Sequence, residues 1–421
     1  MSQLRCNPAV IALSVLYVLS IGYSADQRKP TVPRQPPLTS HVILISINGL
    51  GPEHILRPDL HKLRIPNLRA LRDKGAHAVA VESVYPSLSL PAHATIATGM
   101  LPVDHGIFAD YKFDEAAGIE SSAKYSQANE IKTETIWDIA SRAGLATASA
   151  GYPLTSGAQI GFYLPPGQKV EAIVDLIDKQ HPNLLLINFT SLDEAQSKFG
   201  PDSREAIAAL EGIDSQINEI ARATSAEETT FVIVSDAGRM RVERELHPNV
   251  VLAKKGLLSI DGQNRITSWR AICQTLGGAA AVFVKSEKDE KLIAEVQKAF
   301  REIHDRPDSP IWRIMDRRDA ARLGADPRPE FFLDAAPLYR MSSEAGGGTV
   351  SGASVRASSG YLPQRSELRA ALIMAGKGVK PGVRIEYARL IDIAPTVARL
   401  LGLEMGSARG RVLNEVVTGG S

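Results

Sequence analysis

Three short runs of consecutive apolar residues, each ending in polar ones, constrain this chain more than any other feature. They are "HVILISING" (41–49), "NLLLINFT" (183–190) and "TFVIVSD" (230–236). A strand with one wet face alternates apolar and polar residues. A strand that is apolar at every position is covered on both faces, as parallel strands are when helices pack above and below them. The segments between these runs supply the helices. "IPNLRALRDKG" (65–75) has Pro66 in its first turn and Gly75 as terminator, "TIWDIASRAG" (135–144) also closes on Gly, and "LIDIAPTVARLLGL" (390–403) ends near Gly402. "RAALIMAG" (369–376) reads as a further strand. Strands alternating with helices over such a length predict an α/β fold with a mainly parallel central sheet. Between about 246 and 345 the rhythm changes. "AAAVFVK" (279–285) is a strand, and Leu292, Val296 and Phe300 recur at helical spacing after it. The expected organisation is a core of 41–245 and 346–416 interrupted by an inserted subdomain, 246–345. The glycine- and serine-rich stretch "EAGGGTVSGASVRASSG" (344–360) reads as a mobile loop.

The amino terminus points to export. Arg5 precedes an apolar run from Ala9 to Ile21, and Gly22-Tyr23-Ser24 offers the small residues that signal peptidase needs. Residues 1–24 read as a signal peptide, with an uncleaved membrane anchor as the alternative, and the proline-rich 25–40 as a tether. The expected location is secreted or periplasmic, with no membrane span besides the signal segment. Cys6 leaves with the signal, so Cys273 stands alone and the mature chain forms no internal disulfide. The 48 basic and 47 acidic side chains nearly cancel, which gives no nucleic-acid-binding signature.

The ends of the apolar runs carry chemistry-bearing residues: Asn48, Asp193 after "NFTSL", and Asp236. Ser89 sits in "YPSLSLPAH" (85–93) ahead of a helix amino terminus, where backbone N–H groups favour an oxyanion. Each alone reads as a cap or turn residue. Together, in this order, they suggest a site outside the carboxyl ends of a parallel sheet.

With these residues the chain resembles the nucleotide pyrophosphatase/phosphodiesterase (type I phosphodiesterase) family of the alkaline phosphatase superfamily, from about residue 41 to 416. The resemblance rests on "VILISINGL" (42–50), "IPNLRALRDKGA" (65–76), "YPSLSLPAHATIATGMLPVDHGI" (85–107), "SLDEAQSKFGPDS" (191–203), "VIVSDAG" (232–238), "SSGYLPQRSELRAALIMAGKGVKPG" (358–382) and "IDIAPTVARLLG" (391–402). It implies an alkaline-phosphatase-like three-layer α/β fold. It also implies a site where two zinc ions, bound by three Asp and three His, activate a Thr or Ser for attack on phosphorus.

Carried over residue by residue, the resemblance puts Ser89 at the nucleophile position. Asp193 and Asp236 stand at retained metal positions, and Asn48, Ser197, Ala237 and Ser359 at substituted ones. Gln196 replaces a glycine beside them, and Asp110 replaces the Asn that holds phosphate. Four of six ligand positions are therefore changed, and too few good donors remain for zinc. No metal is expected to bind stoichiometrically. Of the nine histidines (41, 54, 61, 77, 93, 105, 181, 247 and 304), His93 and His105 read as structural, and His247 is the one placed to fold back. Arg239 and Arg241 can replace lost metal charge and bind phosphate or carboxylate, and can equally be two exposed loop arginines. The expected function is that of an inactive pseudoenzyme binding a small-molecule phosphate ester or a protein partner. The alternative is a phosphodiesterase or phosphatase using Ser89 with one weakly held metal or none.

Overall fold

The computed structural model describes residues 35–114, 119–287 and 289–419. The signal segment and most of the proline-rich tether lie outside these residues. The end of that tether is not free. Gln35 and Leu38 donate backbone N–H bonds to the carbonyls of Gly402 and Leu400, both at 2.8 Å, so 35–40 is laid against the end of the helix Ile393–Leu400. No helix of the described residues is long and apolar enough to cross a membrane.

The three apolar runs form adjacent strands: β1 (His41–Ile47), β2 (Leu184–Phe189) and β3 (Thr229–Val234). β1 lies between the other two and is parallel to both. The full sheet has eight strands in the order Val383–Ile385, Ala76–Ala78, Leu372–Gly376, β3, β1, β2, Thr147–Ala150, Phe162–Leu164. Within it, Leu372–Gly376 pairs antiparallel with both neighbours, and every other pairing is parallel. Successive side chains leave opposite faces of a strand, so the apolar runs feed two cores. Val42, Leu44, Leu184, Leu186, Val232 and Val234 belong to one, with Trp137 and the helix Ile393–Leu400. Ile43, Ile45, Ile47, Leu185, Ile187 and Ile233 belong to the other, with helices Pro66–Lys74 and Val170–Gln180.

Helices α1 (Ser89–Thr98), α2 (Ser191–Phe199) and α3 (Arg204–Arg222) carry or brace the site. The helix Pro66–Lys74 begins at Ile65, which offers no capping oxygen. Asp214 of α3 serves instead: its carboxylate accepts from the backbone N–H of Leu68 at 2.7 Å and of Asn67 at 3.2 Å, and from the Asn67 amide at 2.8 Å. A buried carboxylate thus locks two helices together through otherwise orphan donors.

Residues 258–335 build a hairpin (Leu258–Ile260 with Ile266–Trp269) and a separate four-stranded antiparallel sheet. That sheet runs Ala271–Leu276, Ala279–Val284, Phe331–Ala335, Ile311–Asp316, with the amphipathic helix Glu290–His304 contributing Leu292, Val296 and Phe300 to its core. This core also takes in Tyr85, Leu88, Ala237 and Met240, so it is continuous with segments beside the parallel strand ends. The glycine-rich stretch differs from its expectation as a mobile loop. Strand β4 (Met240–Leu246) has an edge to fill, and Val350–Gly352 and Ala357–Ser358 pair antiparallel along it.

Asp214→Ala should lower stability by about 1–3 kcal/mol, because it strands two backbone donors and an amide in a buried place. Thermal melting of the purified protein checks this, and an unchanged Tm would contradict the assigned role of the carboxylate.

Candidate active site

The three parallel strands end on the same edge, and the polar residues that follow them converge there. Asn48 follows β1 and donates its Nδ2 to Ser89 Oγ at 3.0 Å, while its backbone N–H bonds to Phe189 O at 3.0 Å. Asn48 Oδ1, the atom that could ligate a cation, is buried without a hydrogen-bond partner. Asp236 follows β3 and is fully buried. Its Oδ1 accepts from Gly49 N at 3.0 Å and from Ala237 N at 2.7 Å, and Ser83 Oγ donates to its carbonyl at 2.6 Å. Gly49 has a φ of +83°, a conformation that favours glycine, and a Cβ there would lie 2.3 Å from Gln196 Oε1 and push that amide aside.

Arg239 dominates the centre. Its Nε pairs with Asp193 Oδ1, and its Nη2 reaches Asp236 Oδ2 at 3.2 Å. Nη1 donates to the carbonyls of Ala237 and Gly238 at 3.2 and 3.1 Å. The side chain is only 4% exposed. Burial opposes ionisation of Asp236, but the Arg239 guanidinium and the two backbone donors outweigh it and hold its carboxyl below the usual range. Burial likewise opposes the charge on Arg239, and the carboxylates of Asp193 and Asp236 overcome it, raising its pKa. Arg241 behaves differently from Arg239. It is 71% exposed, pairs with Glu243 at 3.1 Å, and takes no part in the site.

Ser89 opens α1 and is partly exposed. His93, one turn later, places Nδ1 2.7 Å from Ser89 O and 3.3 Å from Ser89 Oγ. A carbonyl can only accept, so Nδ1 carries a proton, while Nε2 lies 2.8 Å from Ser46 Oγ and 3.2 Å from Asn188 Oδ1. Burial pushes the His93 pKa down, which keeps the ring neutral. His93 therefore cannot take a proton from Ser89 through Nδ1. His105 is also structural: Ile107 N donates to its Nδ1 at 3.2 Å, Nε2 faces Thr95 Oγ1 at 3.0 Å, and burial pushes its pKa down to about 3. His247 is buried and pairs with Ser351 Oγ at 2.9 Å.

Asp110 caps the amino terminus of α1 from outside. Its Oδ1 accepts from Leu90 N at 2.8 Å, so the protein's own carboxylate holds the first-turn donor that an oxyanion would use. Burial pushes its pKa up to about 6 against the opposing pull of that N–H. Ala237 is fully buried among apolar neighbours. Ser197 and Ser359 line a cleft of about 870 Å³ together with Ser89, Asp110, Asp193 and Arg239. Tyr111, Phe113, Ile272 and Cys273, which sequence reasoning did not place, line it from the other side. The antiparallel sheet supplies the last two, and nothing local to their sequence marks them. Burial pushes the Cys273 thiol up, so it is not a nucleophile.

Among the described residues, the strand ends hold no group of three His, Cys, Asp or Glu whose ligand atoms approach one another. Zinc does not fit this arrangement, because the two carboxylates left at the zinc positions are both paired to the Arg239 guanidinium.

A parallel-sheet α/β protein with its site at the strand ends is the class these features define. Residues 42–326 match the type I phosphodiesterase / nucleotide pyrophosphatase family, and the chain belongs to that family. It is 30% identical over 199 residues to an uncharacterized pyrophosphatase/phosphodiesterase of Schizosaccharomyces pombe, a match covering 43% of this chain and 40% of that protein. It is 27% identical over 209 residues to ectonucleotide pyrophosphatase/phosphodiesterase family member 3 of Rattus norvegicus, covering 45% of this chain and 23% of that one. Both matches span less than half of the relative's own length. An inactive variant of murine ectonucleotide pyrophosphatase/phosphodiesterase 5, solved in complex with AMP, superposes with a TM-score of 0.68 at 18% identity, covering 87% of this chain and 96% of that one. The human protein 5 gives 0.67 at 19% identity, over 86% and 95%. The fold is thus alkaline-phosphatase-like.

Asp110 gives a pH signature. Its folded pKa lies above the ordinary carboxyl value, so between about pH 4 and 6 the native state holds a proton that the unfolded chain releases. Stability contributed by this group therefore falls as pH rises through that window. Asp110→Asn still accepts from Leu90 and carries no charge. The variant should gain on the wild type as pH rises from 4 to 7, by about 1–3 kcal/mol at the upper end. Paired melting curves across that range check it, and a pH-independent difference would refute it.

Proposed function

We propose that this member of the phosphodiesterase family is an exported pseudoenzyme that binds a small molecule in its cleft without hydrolysing it. The observation that carries this reading is Arg239 spanning Asp193 and Asp236. By the resemblance these carboxylates belong to different zinc positions, so one side chain replaces both ions with a fixed cation that cannot act as a Lewis acid. Three further features support it. Asn48, Ala237 and Ser359 stand where ligands would be. Ser89 Oγ accepts from Asn48, and the neighbouring ring nitrogen carries its own proton. Asp110 occupies the helix N–H that would hold a phosphoryl oxygen.

The retained cleft favours a small molecule over a protein partner, because it is concave and of ligand size. Asp110 argues against a phosphate ester seated at α1, so the ligand is expected to be neutral or cationic. Export rests on the signal-like amino terminus and agrees with the secreted character of venom phosphodiesterases among the relatives.

Purified protein should not hydrolyse p-nitrophenyl thymidine monophosphate above a Ser89→Ala control, with or without added zinc. AMP, which a structural neighbour binds, should leave its Tm unchanged. Arg239→Ala should cost about 3–5 kcal/mol by leaving a buried carboxylate unpaired. Ser89-dependent turnover, or zinc whose binding is lost in Asp193→Asn, would establish the alternative of a working hydrolase.

A further inference from the structure

Away from the strand ends, a second group of side chains has the composition of a metal site. His54 lies in the short helix Pro52–Leu56, His61 in the turn that follows it, and Asp202 in the turn joining α2 to α3. One ligand atom from each lies within 4.8 Å of the others. His61 Nδ1 and Asp202 Oδ1 are already 3.1 Å apart, and the two imidazole rings have centroids 4.9 Å apart, tilted by 48°. His54 Nδ1 is buried and has no hydrogen-bond partner. Ring nitrogens are normally satisfied when buried; this one lies beside Gly51 of the same turn.

We propose that His54, His61 and Asp202 bind a divalent first-row transition metal ion, with zinc the expected occupant. The site would hold it with two imidazoles, one carboxylate and a water. Two nitrogens and one oxygen suit zinc, cobalt, nickel or copper, and do not suit calcium or magnesium, which take oxygen ligands. In a tetrahedral zinc site with bonds of about 2.0–2.2 Å, ligand atoms stand roughly 3.3–3.5 Å apart. The His61–Asp202 pair, at 3.1 Å, is within a few tenths of an ångström of that spacing, and His54, whose ligand atom lies within 4.8 Å of both, would close the remainder by a side-chain rotation. Asp202 is 73% exposed, which leaves room for the water and an entry path.

Two of the three ligands sit on hydrogen-bonded turns and the third, His54, on a short helix. His61 N bonds to Pro58 O at 3.2 Å, and Ser203, next to Asp202, caps α3 by accepting from Ala206 N at 3.1 Å. The ion would clip the segment leaving β1 to the turn after α2, two places 141 residues apart in sequence. This inference is independent of the pseudoenzyme reading. It revises the expectation of no stoichiometric metal, for this location alone.

Chelator-stripped full-length protein titrated with zinc should take up one equivalent and gain Tm, and cobalt(II) should give visible absorption of a tetrahedral site. His61→Ala should weaken binding at least about tenfold. Asp202→Asn, at an exposed position that tolerates change, should do the same while melting as a folded protein. Asp193→Asn should bind zinc like the wild type. Absence of zinc uptake by the wild type, or uptake unchanged in both His61→Ala and Asp202→Asn, would overturn the proposal. Uptake lost in Asp193→Asn and kept in the other two would overturn this site and point back to the strand ends.

Discussion

The ion triad of Asp193, Arg239 and Asp236 is the interaction on which the rest of the site depends. Asp236 is fully buried, and a lone carboxylate there would have to take up a proton or recruit a cation. Arg239 supplies that cation permanently. The same carboxylate fixes Gly49 N at the tip of β1, and its backbone carbonyl anchors Ser83. One charge pair therefore sets the relative positions of the β1 tip, the β3 tip and the first turn of α2. Such a triad is weak evidence for net stability, since apolar replacements of buried ion pairs often do as well. Its effect is to specify geometry.

That geometry decides what the cleft can do. A guanidinium is a permanent donor with no vacant coordination site and no proton to exchange near neutrality. It can orient a ligand, and it is not a Lewis acid that coordinates water or a hydroxyl. The anion-binding end of the cleft is altered in the matching sense, with the Asp110 carboxylate already on Leu90 N. Cation position and anion position are thus each filled by the protein itself. What remains open is the space between them and the antiparallel sheet, where Tyr111, Phe113 and Ile272 add apolar surface.

The architecture was largely legible because continuous apolar runs have one solution in a folded protein, strands covered on both faces. Their polar ends located Asn48, Asp193 and Asp236 for the same reason. The two arginines were not separable by eye. Burial along β4 alternates, with Met240 and Val242 inside and Arg241 and Glu243 outside, and Arg239 lies just before it, turned inward to two carboxylates. Alternation alone would put Arg239 and Arg241 on one face; Arg239 turns inward because it precedes the strand, and "DAGRMRVERE" does not announce where the strand starts. The 344–360 stretch misled through composition. Glycine and serine lower strand propensity, yet β4 offered unpaired backbone along its edge, and tertiary pairing overrode the local preference. Cys273 and Ile272 reach the cleft only because a second sheet packs beside the first, which no local pattern encodes.

Helix α2 ties the strand tips to the segments around them through its side chains. Its nine residues span about 13 Å. At its amino end Asp193 is held by Arg239, and beyond its carboxyl end Asp202 is held by His61. Between them Gln196 donates to Gly49 O at 3.3 Å, at a glycine where a side chain would push that amide aside. The segment leaving β1 and the helix leaving β2 are therefore joined at several points by side chains. A fixed cation pairs at one end of this helix, and under the proposed metal site the histidine pair at the other would join the same two segments.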